Sequence, residues 1–241
     1  AQVFRLLAQD LAGLQTIERL SDHLTELADC IVQETLPLVW SKIKKRHCET
    51  PKFAVIGYGK MGGKELGYAS DLDMVYLYDD EDPDAPENYT RLGQRLNTWL
   101  ASQTPAGILF ETDLRLRPNG DSGLLAVSVD AFRDYQLNHA WVWEHQALTR
   151  ARFCAGDPAV GARFEAIRIE ILRQPRDLAT LRDEVVAMRQ KMIDAHASKS
   201  ETHFGLKHDI GGIVDVEFIV QYLVLGHAHQ HAELTGNLGN I

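Results

Sequence analysis

The chain has 241 residues, 45% hydrophobic and 24% charged, with a formal net charge of -9. That is ordinary globular composition, long enough for one large domain or two small ones. The negative charge argues against a nucleic-acid backbone as the main partner, and no apolar run approaches the roughly 20 residues that cross a bilayer.

The N-terminus "AQVFRLLAQDLAGLQ" lacks a Met and a signal-peptide pattern. With the ending "LTGNLGNI", it leads us to expect an excised piece of a longer protein. Residues 4 to 46 read as helix. Leu24, Leu27, Ile31 and Val32 keep helical spacing, and Pro37 predicts a break or kink. Residues 53 to 58 and 72 to 78 read as strands rich in β-formers. "DDEDPDAP" is an acidic, proline-bearing loop. "ENYTRLGQRLNTWLASQ" is amphipathic, with Leu92, Leu96, Trp99 and Leu100 on one helical face.

"GILFETDLRLRP" predicts a third strand from Ile108 to about Leu116, with Asp113, Arg115 and Arg117 on its polar face. "SGLLAVSV" predicts a short fourth strand. From Asp130 onward only helices are expected, two of them N-capped by Asp157 and Asp177. The division is a helical lead-in over 1–50, a mixed α/β core over 51–135 and a helical bundle over 136–241, with no repeat or low-complexity segment.

The chemistry concentrates in "FAVIGYGKMGGKELGYASDLDMVYLYDD". Asp71 and Asp73 are two residues apart at the head of a strand and share a face. Two carboxylates so placed repel unless a cation sits between them. Hard oxygen pairs suit Mg²⁺. Asp113 would add a third carboxylate if its strand is a neighbour, which supports a two-metal arrangement. Gly62 and Gly63 let backbone approach a phosphate. Ser70 adds a hydroxyl, and Arg115 and Arg117 would hold phosphate oxygens or neutralise the acids.

Blander readings stand beside these. An isolated Asp-x-Asp is usually a solvated strand start, and a Gly-Gly pair is usually a loop. Gly57-x-Gly59-x-x-Gly62 leaves too little room before Asp71 for a dinucleotide-binding crossover helix, and it lacks a Walker ending. Lys60 and Lys64 read as surface lysines. His227, His229 and His231 read as a solvated helix end, because only the outer two share a helical face. Trp141 and Trp143 read as core packing beside Glu144. Asp215 and Glu217 open an apolar helix, where carboxylates favour the dipole. Cys30, Cys48 and Cys154 show no metal-ligand spacing and no even disulfide framework, which fits a reducing cytosol.

"MGG", a spacer and "DLD" before an apolar strand resemble the signature of DNA polymerase β-like nucleotidyltransferases. More narrowly, "GYGKMGGKELGYASDLDMVYLYD", "DLRLRPNGDSGLL", "DYQLNHAWVWEHQALTRAR" and "GGIVDVEFIVQYLVL" are similar to the glutamine synthetase adenylyltransferase family, and to its C-terminal, adenylylating half. The resemblance implies an α+β fold, with a small mixed sheet between N-terminal helices and a C-terminal helical bundle. It implies Asp71, Asp73 and Asp113 as metal-binding catalytic carboxylates for Mg²⁺ or Mn²⁺, with Gly62 and Gly63 on the phosphate side. It further implies transfer of AMP from ATP to a tyrosine of glutamine synthetase in the cytoplasm, under control of PII signal protein and glutamine. It allows "GGIVDVEF" to lie near the nucleotide. The alternatives are the adenylyl-removing half and an inactive docking module.

Overall fold

A computed structural model describes residues 1–198, 202–236 and 239. Among these, two helices lead in, α1 (Gln2–Leu11) and α2 (Ile17–Ser41). The strand β1 (Phe53–Gly57) follows, then the four-residue helix α3 (Gly59–Gly62), β2 (Leu72–Tyr78) and α4 (Ala85–Ala101). Next come β3 (Thr112–Asp113), β4 (Ala126–Ser128), α5 (Val129–Asn138), α6 (Val142–Leu148) and β5 (Arg152–Gly156). Three α-helices follow, α7 (Pro158–Leu172), α8 (Leu178–His196) and α9 (Ile213–His227), and then a short 3-10 helix, Ala232–Gly236.

The sheet is mixed. β1 runs antiparallel to both β2 and β5. The other edge of β2 is shared: β3 pairs parallel with its start and β4 parallel with its end. Both faces are covered, which explains why β1 and β2 read as nearly unbroken apolar runs. Phe53, Val55, Leu72, Met74, Tyr76 and Tyr78 pack toward a core with α2 and α4 residues such as Leu24, Val32, Trp40, Leu92 and Leu96. Ala54, Ile56, Val75 and Leu77 face the opposite core, with Phe132, Phe164, Ile171, Leu181 and Leu225 from α5, α7, α8 and α9. The mixed α+β class expected from the sequence is the class found, and no described helix is long and apolar enough to cross a membrane.

Several local expectations are corrected. The lead-in breaks between Leu11 and Ile17, where Thr16 caps α2, and not at Pro37. Pro37 sits in the last turns of α2, whose buried face runs on through Leu36, Val39 and Trp40; that packing outweighs one missing N–H. The third strand shrinks to Thr112–Asp113 because the chain turns immediately after it. β5, read as helix, pairs with β1 instead, so the sheet draws on residues past 135. Trp99 is exposed, while Leu92, Leu96 and Leu100 are buried. Trp141 and Trp143 are also exposed; it is Glu144 that is buried, accepting from the Trp141 N–H (2.9 Å) and the Tyr135 hydroxyl (2.9 Å).

The two expected caps are present: Asp157 accepts from Ala159 N and Asp177 from Thr180 N, each at 2.8 Å. Asp157 also ties β5 to β1, since its own N–H donates to Phe53 O at 2.8 Å. Asp157→Ala removes the cap and keeps that backbone bond. It is expected to cost about 1 kcal/mol, read as a lower urea midpoint with an unchanged slope.

Candidate active site

Three carboxylates meet where β2 begins. In the parallel register, Asp73 lies directly opposite Asp113. Asp71 precedes Asp73 by two residues, so it projects to the same side. The three present oxygens that all lie within 4.8 Å of one another, Asp71 exposed and the other two half-buried. Strand parity puts them on the Val75–Leu77 side of β2, toward the C-terminal helices. Lys207, from the segment between α8 and α9, is close enough to temper the charge on Asp73. Nothing in the local sequence around Lys207 signals that placement; only the tertiary fold does.

The carboxylates are not equivalent. Burial, reinforced by the neighbouring charges of Asp71 and Asp113, pushes Asp73 up to about 6. Asp113 moves the other way, because the Arg115 guanidinium bonded to it holds it below the usual carboxylate range. Arg115 Nε lies 3.1 and 2.9 Å from the two Asp113 oxygens, Nη2 also donates, and the Arg115 backbone N–H donates to Oδ1 at 2.8 Å. Arg117 is turned elsewhere. It donates to Leu114 O (2.7 Å) and pairs with Asp121 (3.3 Å), fastening the turn that follows β3. Of the two arginines, therefore, Arg115 adjoins the acids and Arg117 braces the loop behind them. The strand ends at Asp113, so the alternation that would put all three side chains on one face stops there.

The glycine turn between β1 and β2 is fitted against these acids. Gly59 has a left-handed backbone (φ +51°), and a Cβ there would strike the Asp73 carboxylate. Tyr58 N donates to Asp73 O at 2.9 Å, fixing the two segments together. Gly62 is buried with no room for a side chain: a Cβ would sit 2.6 Å from Gly57 O and collide with Arg150 O. The N–H groups of Gly62 and Gly63 donate within the turn, to Tyr58 O (2.8 Å) and Gly59 O (3.0 Å). Both amides are thus engaged within the turn, and Gly62 is also tightly packed. Ser70 Oγ accepts from Gly67 N at 2.9 Å, which orders the turn leading into Asp71.

Two further arginines, Arg150 and Arg152 at the end of "DYQLNHAWVWEHQALTRAR", hold this turn. Arg152 on β5 donates to Met61 O (3.0 Å) and Gly62 O (3.2 Å), carbonyls at the end of α3. It is itself clamped to Asp29 of α2 at 2.7 and 3.0 Å. Arg150 bridges Glu217 of α9 (2.8 Å) and Glu65, so the helical half is bonded to the segment between α3 and β2. Glu217 and Asp215 thereby find partners, Asp215 on Arg189 at 2.5 Å. Lys60 and Lys64 are exposed. His227, His229 and His231 belong to none of the clusters of metal-type ligands among the described residues.

The glutamate-ammonia ligase adenylyltransferase family model matches residues 1–167. Curated relatives named bifunctional glutamine synthetase adenylyltransferase/adenylyl-removing enzyme align over the whole chain. The protein from Aromatoleum aromaticum is 71% identical, and those from Nitrosomonas europaea and Chromobacterium violaceum are each 62% identical. The chain spans about a quarter of their length, 26%, 26% and 27% respectively.

Proposed function

Because the chain belongs to the glutamate-ammonia ligase adenylyltransferase family, we propose that its three-aspartate site transfers AMP from ATP to a tyrosine of glutamine synthetase, releasing pyrophosphate. One observation carries the reading: carboxylates from two parallel strands converge beside a glycine turn that admits no side chain. The donor set fits Mg²⁺ or Mn²⁺. All three ligands are hard oxygens, and a cation would offset the charge of Asp71 and Asp113 that adds to burial in raising Asp73. Asp71, Asp73 and Asp113 would hold such ions, which would offset negative charge on the triphosphate.

The chain's own residues do the rest. The narrow turn at Gly59 carries Gly62 and Gly63, which bring backbone close to the phosphates, and Ser70 steadies the approach to Asp71. Arg115, with a 75% exposed side chain, has room to exchange Asp113 for phosphate oxygens, while Arg117 keeps the loop behind it in place. In the transfer, the tyrosine oxygen forms a bond to the α-phosphorus and the bond to pyrophosphate breaks. The phenolic proton leaves to a carboxylate of the group. Asp113, freed from Arg115, is the residue we assign to accept it. The protein acts in the cytoplasm with glutamine synthetase as substrate, and PII signal protein is the regulator we expect.

The relatives' double name keeps the adenylyl-removing reaction as the second reading. The two separate in one experiment. Incubated with ATP, Mg²⁺ and unmodified glutamine synthetase, the chain should incorporate AMP. Incubated with adenylylated glutamine synthetase and phosphate, it should release none. The opposite pattern assigns the removing half, and inactivity in both overturns the catalytic reading in favour of a docking module.

A further inference from the structure

A second set of ligand atoms converges at the other end of β2, about 20 Å along the strand from Asp73. His47 Nε2 lies 3.0 Å from Asp80 Oδ2 and 3.5 Å from Cys48 Sγ. The three ligand atoms all lie within 4.8 Å of one another. The side chains of His47 and Asp80 are only 4% and 7% exposed. We propose that His47, Cys48 and Asp80 bind a zinc-class divalent cation, which clasps the segment after α2 to the end of β2. This site is independent of the aspartate site and of the reaction assigned there.

The geometry suits such an ion. Around a tetrahedral zinc, with Zn–N about 2.0 Å and Zn–S about 2.3 Å, nitrogen and sulfur stand roughly 3.5 Å apart, and nitrogen and oxygen roughly 3.3 Å. One thiolate and one carboxylate neutralise the dication, and the half-exposed side of Cys48 leaves the fourth position to water. The surrounding groups are those a metal site uses to orient its ligands. Tyr89 OH donates to Asp80 Oδ2 at 2.9 Å, and Asp82 N donates to Oδ1 at 3.2 Å. The buried Asn88 carboxamide lies 3.1 Å from His47 Nδ1. Lys52, 3.6 Å from Asp80 Oδ1, is 57% exposed and free to turn into water.

Without the ion, the Cys48 thiol donates to Thr50 O (3.2 Å) and His47 donates from Nε2 to Asp80. Binding releases the thiol proton to solvent and selects the Nδ1–H tautomer of His47. That N–H donates a hydrogen bond to the Asn88 carbonyl once the amide is turned. The cysteines' sequence spacing gives no hint of this, because Asp80 is 33 positions from His47 and arrives only through the fold.

Cobalt titration of the metal-stripped chain tests the proposal, since a thiolate–cobalt bond gives an intense near-ultraviolet charge-transfer band that an all-carboxylate site cannot produce. The band should saturate at one equivalent, bleach on adding zinc and persist in the double variant Asp71→Asn, Asp73→Asn. It should vanish in Cys48→Ser, and Asp80→Asn should weaken binding at least about tenfold. A parallel measurement on the parent chain needs no variant: zinc should protect Cys48, but not the exposed Cys30, from alkylation followed by mass spectrometry. No band with folded protein, a band surviving Cys48→Ser, or Cys48 alkylation indifferent to zinc would each overturn it.

Discussion

Replacing Asp71 and Asp73 together by Asn is expected to abolish AMP transfer, by about 10³-fold or more, while the protein stays folded. The size follows from the place of these groups: they aim charge at the point where the transferred phosphoryl group develops its own, and preorganised groups of that kind are worth about 10²–10³ each. The fold should survive because neither carboxylate holds the sheet together. Strand β2 is kept in place by its ladder to β1 and by Leu72, Met74 and Val75, which are buried. The Asp73 contact to the glycine turn runs through its backbone carbonyl and Tyr58 N, which the substitution leaves alone. Labelled-AMP incorporation and far-ultraviolet circular dichroism on the same preparation check both halves. Transfer at the parent rate in the folded variant would place the chemistry elsewhere. Asp113→Asn should also impair transfer, and raising the ATP concentration should not restore it, because Asp113 is the residue assigned to accept the phenolic proton.

The parts of this site legible from sequence were those set by local periodicity. The i, i+2 pair on a strand puts Asp71 and Asp73 together whatever the rest of the chain does, and the apolar runs on either side of the glycines fix β1 and β2 closely. Asp113 is legible as a candidate, but its neighbourhood is not. The Thr-Asp-Leu-Arg-Leu-Arg alternation continues past the point where the backbone stops being a strand, so the pattern overstates how far Arg117 shares its face. β5 was missed for a related reason. "RFCAG" is short and follows a helix, and its stability comes from pairing with β1, about a hundred residues earlier. The Arg152–Asp29 clamp on the glycine turn, the Arg150 bridge to Glu217 and the approach of Lys207 to Asp73 are likewise products of tertiary contact. No spacing rule reaches them. Pro37 shows the converse: the local rule predicts an interruption there, yet α2 runs on to Ser41 with Leu36, Val39 and Trp40 buried.

The elevated affinity of Asp73 for protons makes the stability of the metal-free chain depend on pH. An unfolded aspartate titrates near 3.8 and the folded one at about 6, so the folded state binds the proton more tightly. Protonated Asp73 therefore contributes its full stability below pH 3.8, and that contribution drains away as pH rises through about 6. Near pH 7 the ionised group stands as a penalty of at most about 3 kcal/mol, from a shift of roughly two pH units at about 1.4 kcal/mol each. Asp73→Asn removes the ionisation. In the presence of a chelator it should unfold at a higher temperature than the parent at pH 7, by roughly 6–12 °C at the upper bound, and at about the same temperature at pH 4. Saturating Mg²⁺ should stabilise the parent much more than the variant, because a ligand that binds only the folded state adds stability in proportion to its occupancy. Parallel melting curves for parent and variant across pH 4 to 7 would mean that the folded chain does not hold Asp73 against ionisation, by burial or by its neighbours' charge. Relief of that cost could then not be what draws a cation to the three aspartates, even if the activity itself were found. A curve for the parent that falls through pH 6 and flattens in the variant ties the cost to Asp73, half-buried beside two other acids: an empty site whose ionised form is disfavoured until a cation offsets its charge.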